Sequence, residues 1–214
     1  MAENYQTTLN RFMGFVGGAD LPFDKIDQKL MARFESYLLN SGLCRNTSSY
    51  YMRNLCAMYN RAVDEELCIE RRPFKRVYRG VDETKKRAIS IDYLRSIKRL
   101  TNLSQYEDFA RDMFMFSFYT RGMSFVDMAY LQKKDLNRGI LSYRRRKTGQ
   151  LLFIKWEKCM QEIVDKYNLP QSNYLLPIIK PMSKIDERKQ YLYSSHKINR
   201  NLKILGEIII SVTI

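Results

Sequence analysis

The chain has 214 residues, of which 45% are hydrophobic and 28% charged, and this composition is typical of a globular protein rather than a disordered or fibrous one. Its 37 lysines and arginines against 23 acidic residues give a formal net charge of +14, which favours polyanionic partners, nucleic acid before an anionic membrane. The single histidine and four scattered cysteines, without a CxxC pair, argue against a zinc site and against histidine-based catalysis.

The sequence contains no signal for a membrane or for secretion. No run approaches the roughly 20 apolar residues of a membrane span, and the first residues, MAENYQTTLNR, lack the basic and apolar regions of a secretory signal. We therefore expect a cytoplasmic protein with reduced thiols, located on the bacterial nucleoid if it binds DNA.

The first 70 residues predict three helices. An apolar stripe recurs at helical spacing over about 5–16 and stops at Gly17-Gly18. A second helix begins after the N-cap candidate Asp27 and closes near residue 41, and a third covers about 46–62.

A basic segment follows, RRPFKRVYRGVDETKKR over 71–87, in which no helical period continues. We interpret it as a linker. It either lies on a negatively charged partner or is a solvated charged loop, and composition does not decide between the two. Its cations are Arg71, Arg72, Lys75, Arg76, Arg79, Lys85, Lys86 and Arg87.

The remainder predicts a mainly helical module with one small hairpin. Ser90 is an N-cap candidate, a helix that is apolar nearly all round in its second half covers about 106–118, and a short helix covers about 124–131. ILSYRRRKTGQLLFIKW then predicts two strands around a turn at 147–150. A helix over 157–167, an extended YLLPII and a basic helix over 187–206, ending at Gly206, complete the order.

Two segments could carry chemistry, and the first is FSFYTRGMSFVDMAYL over 116–131. Arg121 follows a buried helix, where a guanidinium is costly unless it meets an anion, and Asp127 could orient it. A plain Arg121–Asp127 salt bridge at a helix corner is the structural alternative.

The second segment is SYRRRKTGQ, in which four consecutive cations enter the hairpin turn. In a strand, Arg144 and Arg146 would face one side, and Arg145 and Lys147 the other. A hairpin tip can enter a DNA groove, and a lysine there can deliver charge and a proton to a phosphate oxygen. The alternative is a solvated charged hairpin.

Taken together, these segments resemble the tyrosine recombinase (phage integrase) family, and the match is close to the integrases of Bacteroides-type mobile elements. The resemblance is carried by YTRGMSFVDMAYL, ILSYRRRKTGQ, NTSSYYMRNLCAMYNRAV and FKRVYRGVDETKKRAIS, and it covers about 3–206. It implies a helical, SAM-like core-binding domain over 1–80, a basic linker over 81–88 and a partial α+β catalytic domain over 89–214.

The resemblance also implies a mechanism. In this family a tyrosine attacks the scissile phosphate to form a 3′-phosphotyrosyl bond, and two arginines and a hairpin lysine stabilise the charge, without metal or nucleotide cofactor. Arg121 matches the first catalytic arginine, Lys147 the hairpin lysine and Asp127 the supporting acid. The expected partners are double-stranded DNA and other recombinase subunits. The expected DNA contacts are Arg71, Arg72, Lys75, Arg76, Arg79, Lys85, Lys86, Arg87, Arg144, Arg145 and Arg146.

The sequence departs from the family pattern at its end. It has no His-x-x-Arg box. The spacing from His196 to Arg200 is His-x-x-x-Arg, and we interpret His196 as a surface residue at a helix start. None of the 15 tyrosines follows Tyr193. The closing IIISVTI is uncharged and almost entirely β-branched. We therefore expect a C-terminally truncated recombinase that cannot cleave DNA.

Two other interpretations remain. One is a DNA-binding module without chemistry, a remnant that occupies recombination sites. The other is a basic helical protein that binds RNA or a membrane surface, which is disfavoured because the sequence has no RRM or KH signature and no strongly cationic amphipathic face.

Overall fold

The structure is a computed structural model that describes residues 2–18, 20–84 and 88–213; for Ala2 and residues 210–213 it describes the backbone alone. The chain divides into two compact units, Met1–Arg87 and Ala88–Ile214, which are described separately. The predicted DNA contacts Lys85, Lys86 and Arg87 lie outside the described residues.

The first unit is built from three helices, α1 (Ala2–Phe15), α2 (Gln28–Asn40) and α3 (Arg45–Asp64), with a 3-10 turn at Phe23–Lys25. The Asp27 side chain accepts a hydrogen bond from the Leu30 amide (2.7 Å), and this N-cap sets the start of α2. The apolar stripes meet in one core around Phe34, which is fully buried. The predicted mainly helical fold is confirmed for this unit.

The basic segment after α3 packs on the first unit through its few apolar residues. Phe74 and Val77 are buried in the helical core, at 4% and 8% exposure. The Ser49 hydroxyl donates to the Gly80 carbonyl (2.6 Å), and the Asn46 side chain bonds both backbone groups of Asp82. The segment is therefore fixed to the helices by its apolar side chains, and its backbone is anchored as far as residue 82.

The second unit contains five helices among its described residues: α4 (Ile91–Arg99), α5 (Gln105–Tyr119), α6 (Phe125–Ala129), α7 (Lys158–Lys166) and α8 (Glu187–Thr213). The central helix is α5, which contacts α4, α7 and α8 and begins at a capping box between Ser104 and Glu107. A polar network joins α5 to α7: the Lys166 ammonium bonds Asp112 (2.6 Å) and Asp108.

A three-stranded antiparallel sheet lies beside these helices, in the order β1 (Leu136–Asn137), β2 (Ile140–Arg144), β3 (Leu151–Lys155). The predicted single hairpin was incomplete, because β1 has two residues and is too short to show alternation in the sequence. It joins β2 through Arg138 and Gly139, both of which have positive φ (48° and 75°), as a tight hairpin turn of this kind requires.

The turn between β2 and β3 is also wider than predicted. The strands pair as far as Arg144 with Leu151, so residues 145–150 form the connection. The prediction that Arg145, Arg146 and Lys147 alternate between strand faces was therefore wrong, because these residues lie beyond the last strand pair.

The helix predicted over 187–206 was too short, since α8 continues to Thr213. Leu205 and Ile209, one turn apart, are buried in the second unit, and this packing outweighs the β propensity of the IIISVTI segment. His196 is exposed, as predicted, but it lies well inside α8 rather than at a helix start.

No helix among the described residues is long and apolar enough to cross a membrane. No group of three or more His, Cys, Asp or Glu residues is placed to hold a metal ion, again within the described part of the chain.

Candidate nucleic-acid interface

Arg121 lies in the turn that ends α5, in the left-handed backbone region (φ 60°). Its amide donates to the Phe118 carbonyl (3.0 Å) and the Gly122 amide to the Ser117 carbonyl (2.8 Å), the paired bonds of a Schellman C-cap. Glycine usually takes this position, because a side chain there costs about 1–2 kcal/mol. The Arg121 side chain is exposed and has no hydrogen bond or ion pair with the described residues.

Asp127 is the buried carboxylate of this region, at 4% exposure. Ser124, the N-cap of α6, donates its hydroxyl proton to Asp127 Oδ2 (2.6 Å). Asp127 Oδ1 accepts from the backbone amide of Arg146, 19 residues further along the chain (2.9 Å). Within the described chain no ion pair joins Asp127 to Arg121; its carboxylate instead connects α6 to the hairpin turn.

The hairpin turn is closed by its own backbone. The Arg145 amide donates to the Gln150 carbonyl (2.8 Å) and the Gly149 amide to the Arg145 carbonyl (2.7 Å). Gly149 has a φ of 71°, which favours glycine at this position. The Arg144 guanidinium donates to the Gly149 carbonyl (2.5 Å), so one of the four cations stabilises the turn itself.

The other three hairpin cations differ in their surroundings. The guanidinium carbon of Arg146 lies 3.7 Å from the ring centroid of Tyr130, a cation–π contact. Arg145 is half-buried, and its charge opposes the rise in the pKa of Tyr143 that burial and the Asp127 charge produce. Lys147 is exposed, and its ammonium has no partner among the described residues.

The Tyr130 ring in turn packs against a second tyrosine. It meets that of Tyr174 edge-on at 6.4 Å, and the Tyr174 hydroxyl donates to Glu187 at the start of α8 (2.6 Å). Burial, reinforced by the hydrogen bond to Glu187, raises the pKa of Tyr174 to about 12. Sequence reasoning missed Tyr130; its place three residues after Asp127 was visible, but its contact with a hairpin arginine depends on the tertiary fold.

The cations of the first unit form a looser group. Arg71 lies 3.9 Å from an Asp24 carboxylate oxygen and Arg72 3.9 Å from one of Glu70, both exposed pairs of the kind that contributes little. The Arg79 guanidinium donates to the Cys56 sulfur (2.9 Å). Lys75 and Arg76 are exposed, with no side-chain partner in the described residues.

The structure thus brings Asp127 together with the hairpin by a direct bond and places Arg121 at the turn that leads into α6. It keeps the five described cations of 71–79 in the first unit. One contact there was not expected from the sequence: the Arg45 guanidinium lies over the Tyr78 ring (3.7 Å) and pairs with Asp82 (3.5 Å).

A family model and solved structures both relate this chain to phage integrases in fold. Residues 1–80 match the family model described as phage integrase SAM-like domain. The chain is similar to a lambda integrase tetramer bound to a Holliday junction, with a TM-score of 0.68, 15% identity, and coverage of 92% of this chain and 57% of that one. It is also similar to lambda integrase bound to DNA, with a TM-score of 0.66, 16% identity, and coverage of 95% and 70%.

No curated protein was found to match the sequence. The chain spans 57% of the length of the first of these integrase chains. The fold of the chain is therefore integrase-like: a SAM-like helical unit, followed by a mainly helical unit with a small antiparallel sheet that resembles the core domains of lambda integrase.

Proposed function

We propose that the protein is a DNA-binding member of the tyrosine recombinase family, related to the integrases of Bacteroides-type mobile elements, that acts on double-stranded DNA. The observation that carries the proposal is the exposed Lys147, placed on a turn that the buried Asp127 holds by the Arg146 amide. An unpaired ammonium on a turn anchored in this way is suited to one phosphate oxygen. The match of residues 1–80 to an integrase domain supports the same interpretation.

In this proposal the residues have separate roles. Arg121, without an anion in the described chain, binds a non-bridging oxygen of the scissile phosphate. Lys147 supplies a second charge and can protonate the leaving oxygen. Asp127 supports both by connecting α6 to the hairpin. Fixed cations act here because the phosphate gains negative charge in the transition state.

Affinity for DNA comes from the remaining cations. Arg71, Arg72, Lys75, Arg76 and Arg79 bind backbone phosphates from the first unit, and Arg144, Arg145 and Arg146 from the hairpin, with Lys85, Lys86 and Arg87 between them in the sequence. Such contacts release counterions and make binding steeply dependent on salt. The lambda integrase structures include a tetramer, and we extend this proposal to assembly with other recombinase subunits.

Recombination in this family also needs a second arginine box and a tyrosine nucleophile, and none of these 214 residues matches those positions. We expect this chain alone to bind DNA without forming a covalent adduct. A second candidate, a DNA-binding module without chemistry, is favoured by the confinement of the family-model match to residues 1–80.

The test is to incubate the protein with a labelled, nicked duplex that carries a candidate element end, at low and high salt, and to run native and SDS gels. A salt-sensitive native shift without an SDS-stable adduct is the expected result. The absence of any shift at low salt would refute the proposed DNA binding. An SDS-stable adduct would show that an unassigned tyrosine attacks the phosphate.

A further inference from the structure

Arg146 differs from the other hairpin cations because both its backbone amide and its guanidinium contact α6 residues. Its amide donates to Asp127 Oδ1 (2.9 Å), and its guanidinium carbon lies 3.7 Å from the Tyr130 ring centroid. Asp127 lies in α6 and Tyr130 is the C-cap residue of the same helix. One arginine therefore connects the hairpin turn to α6 by two contacts, one from its backbone and one from its side chain.

Both anchors are immobilised by the body of the second unit. Asp127 is buried and bonded to the Ser124 hydroxyl. Next to Tyr130, the Leu131 carbonyl accepts from the Leu175 amide (2.8 Å), and the Tyr130 ring packs edge-on against Tyr174. A turn attached to these two residues takes its position from the core rather than from its own strands.

Anchoring Arg146 also fixes the backbone position of the next residue, Lys147. Lys147 is exposed and its ammonium has no partner within the described chain, so nothing of its own holds it in place. With the amide and the side chain of the preceding residue held, the backbone at 147 keeps one position. A lysine on a fixed backbone loses less conformational entropy when it binds a phosphate than one on a mobile tip.

We propose that Arg146 is a positioning residue, held between Tyr130 and Asp127, that presents Lys147 of the hairpin turn to a DNA phosphate. This inference rests on the proposed function for its DNA contact, and it adds Tyr130 as the second partner on which the position of the turn depends. Lys147 is then the cation whose contribution to binding depends on a ring that does not itself touch DNA.

The experiment is a double-mutant cycle on DNA affinity with Tyr130→Leu and Lys147→Ala. Tyr130→Leu removes the ring and no charge, and we expect it to weaken DNA binding roughly three- to tenfold, whereas Tyr130→Phe keeps the ring and stays within about twofold. In the Lys147→Ala background, Tyr130→Leu should have a smaller effect than in the wild type, because the Lys147 contact that it disturbs is already absent.

The second unit contains a matched control, a cation–π pair away from the hairpin. The Lys197 ammonium lies 3.3 Å from the ring centroid of Tyr106, which is 56% exposed on α5. Tyr106→Leu deletes a pair of the same kind and should leave DNA affinity unchanged. Arg146→Lys retains the charge but not the flat stacking surface, and it should behave like Tyr130→Leu.

A second measurement needs no DNA: hydrogen exchange of the Arg146 amide, in variants first shown by circular dichroism to be folded. Exchange should accelerate in Tyr130→Leu and Arg146→Lys, and remain at the wild-type rate in Tyr130→Phe and Tyr106→Leu. An unchanged exchange rate in Tyr130→Leu would overturn the proposal. So would additive effects of Tyr130→Leu and Lys147→Ala on affinity, since Tyr130 would then act by another route.

The two proposals fail in different ways. If the wild-type protein does not bind DNA, the proposed function is wrong, and the exchange rates still decide whether Arg146 and Tyr130 hold the turn. If the wild type binds DNA and Tyr130→Leu changes neither affinity nor exchange, the proposed function stands and the positioning role of Arg146 is wrong.

Discussion

The basic segment 71–82 of the first unit and the hairpin turn 145–150 of the second both expose cations on irregular backbone, but they are anchored by opposite means. In the first, the apolar side chains Phe74 and Val77 enter the core, and only two of the cations pair loosely with exposed carboxylates. In the second, a buried carboxylate and an aromatic ring hold the turn. In the first arrangement, affinity for DNA would depend on how many cations the segment exposes. In the second, it would depend on where one cation, that of Lys147, is placed.

The largest effect expected from this difference concerns salt dependence. Replacing Arg71, Arg72, Lys75 and Arg76 by alanine together should weaken binding to all DNA sequences and lower the slope of log K against log salt by about 3.6, at roughly 0.9 for each lost phosphate contact. Lys147→Ala should lower it by only about 0.9. Gel shifts over a salt series measure both.

The control for that series is Lys158→Ala, which removes an exposed cation that pairs with Glu162 on α7. Its slope should match the wild type. A quadruple variant with the wild-type slope would show that the segment does not touch phosphate.

The next effect is on stability. Phe74→Ala removes the ring that anchors the basic segment. It should lower the free energy of unfolding of the first unit by about 3–5 kcal/mol, the usual cost of deleting a buried phenyl ring. Urea denaturation measures this loss. Phe153→Ala, at a residue that is 63% exposed on β3, is the control and should cost less than about 0.5 kcal/mol. Equal losses would mean that Phe74 does not anchor the segment.

A smaller loss is expected at the hairpin anchor. Asp127→Ala leaves the Arg146 amide and the Ser124 hydroxyl without their acceptor, at a cost of about 1–3 kcal/mol. Thermal unfolding should show this, and the Arg146 amide should exchange faster. Asp92→Ala breaks only an exposed pair with Arg95 and should leave both quantities near wild type. Unchanged exchange in Asp127→Ala would contradict the observed bond.

The smallest effect depends on pH and concerns the network between α5 and α7. Burial alone would raise the pKa of Asp108, but the hydrogen bond from Lys166 and the charge of Arg111 outweigh it, so the pKa lies below its ordinary value of 3.8. A carboxyl whose folded pKa is depressed adds stability above its unfolded pKa, and this contribution is lost as the pH falls through the folded value.

The second unit should therefore lose stability below about pH 4, and Asp108→Asn should flatten that part of the profile. Asp92→Asn, an exposed carboxylate on α4, is the control and should leave the profile unchanged. Melting temperatures between pH 2 and 7 provide the measurement; a parallel decline in wild type and Asp108→Asn would assign the acid loss to other groups.

Most of the fold could be predicted because its signals are local. Helix starts followed the N-cap candidates Asp27 and Ser90, and apolar spacing identified the helices of both units. The errors arose where a local signal is weak or is overridden: β1 has two residues, and the β-branched end of α8 is helical because Leu205 and Ile209 pack in the core.

The sequence by itself determined the mainly helical fold and the cationic character, because these features depend on composition, short-range spacing and capping. Arg121, Asp127 and Lys147 stay a prediction for the phosphate site, made from the resemblance to a known family. Only the tertiary structure decided that Asp127 bonds the Arg146 amide rather than Arg121, and that Arg146 lies on Tyr130. Those contacts join residues 16 to 19 positions apart, and their partners are chosen by how α6 packs beside the hairpin, which no local pattern encodes.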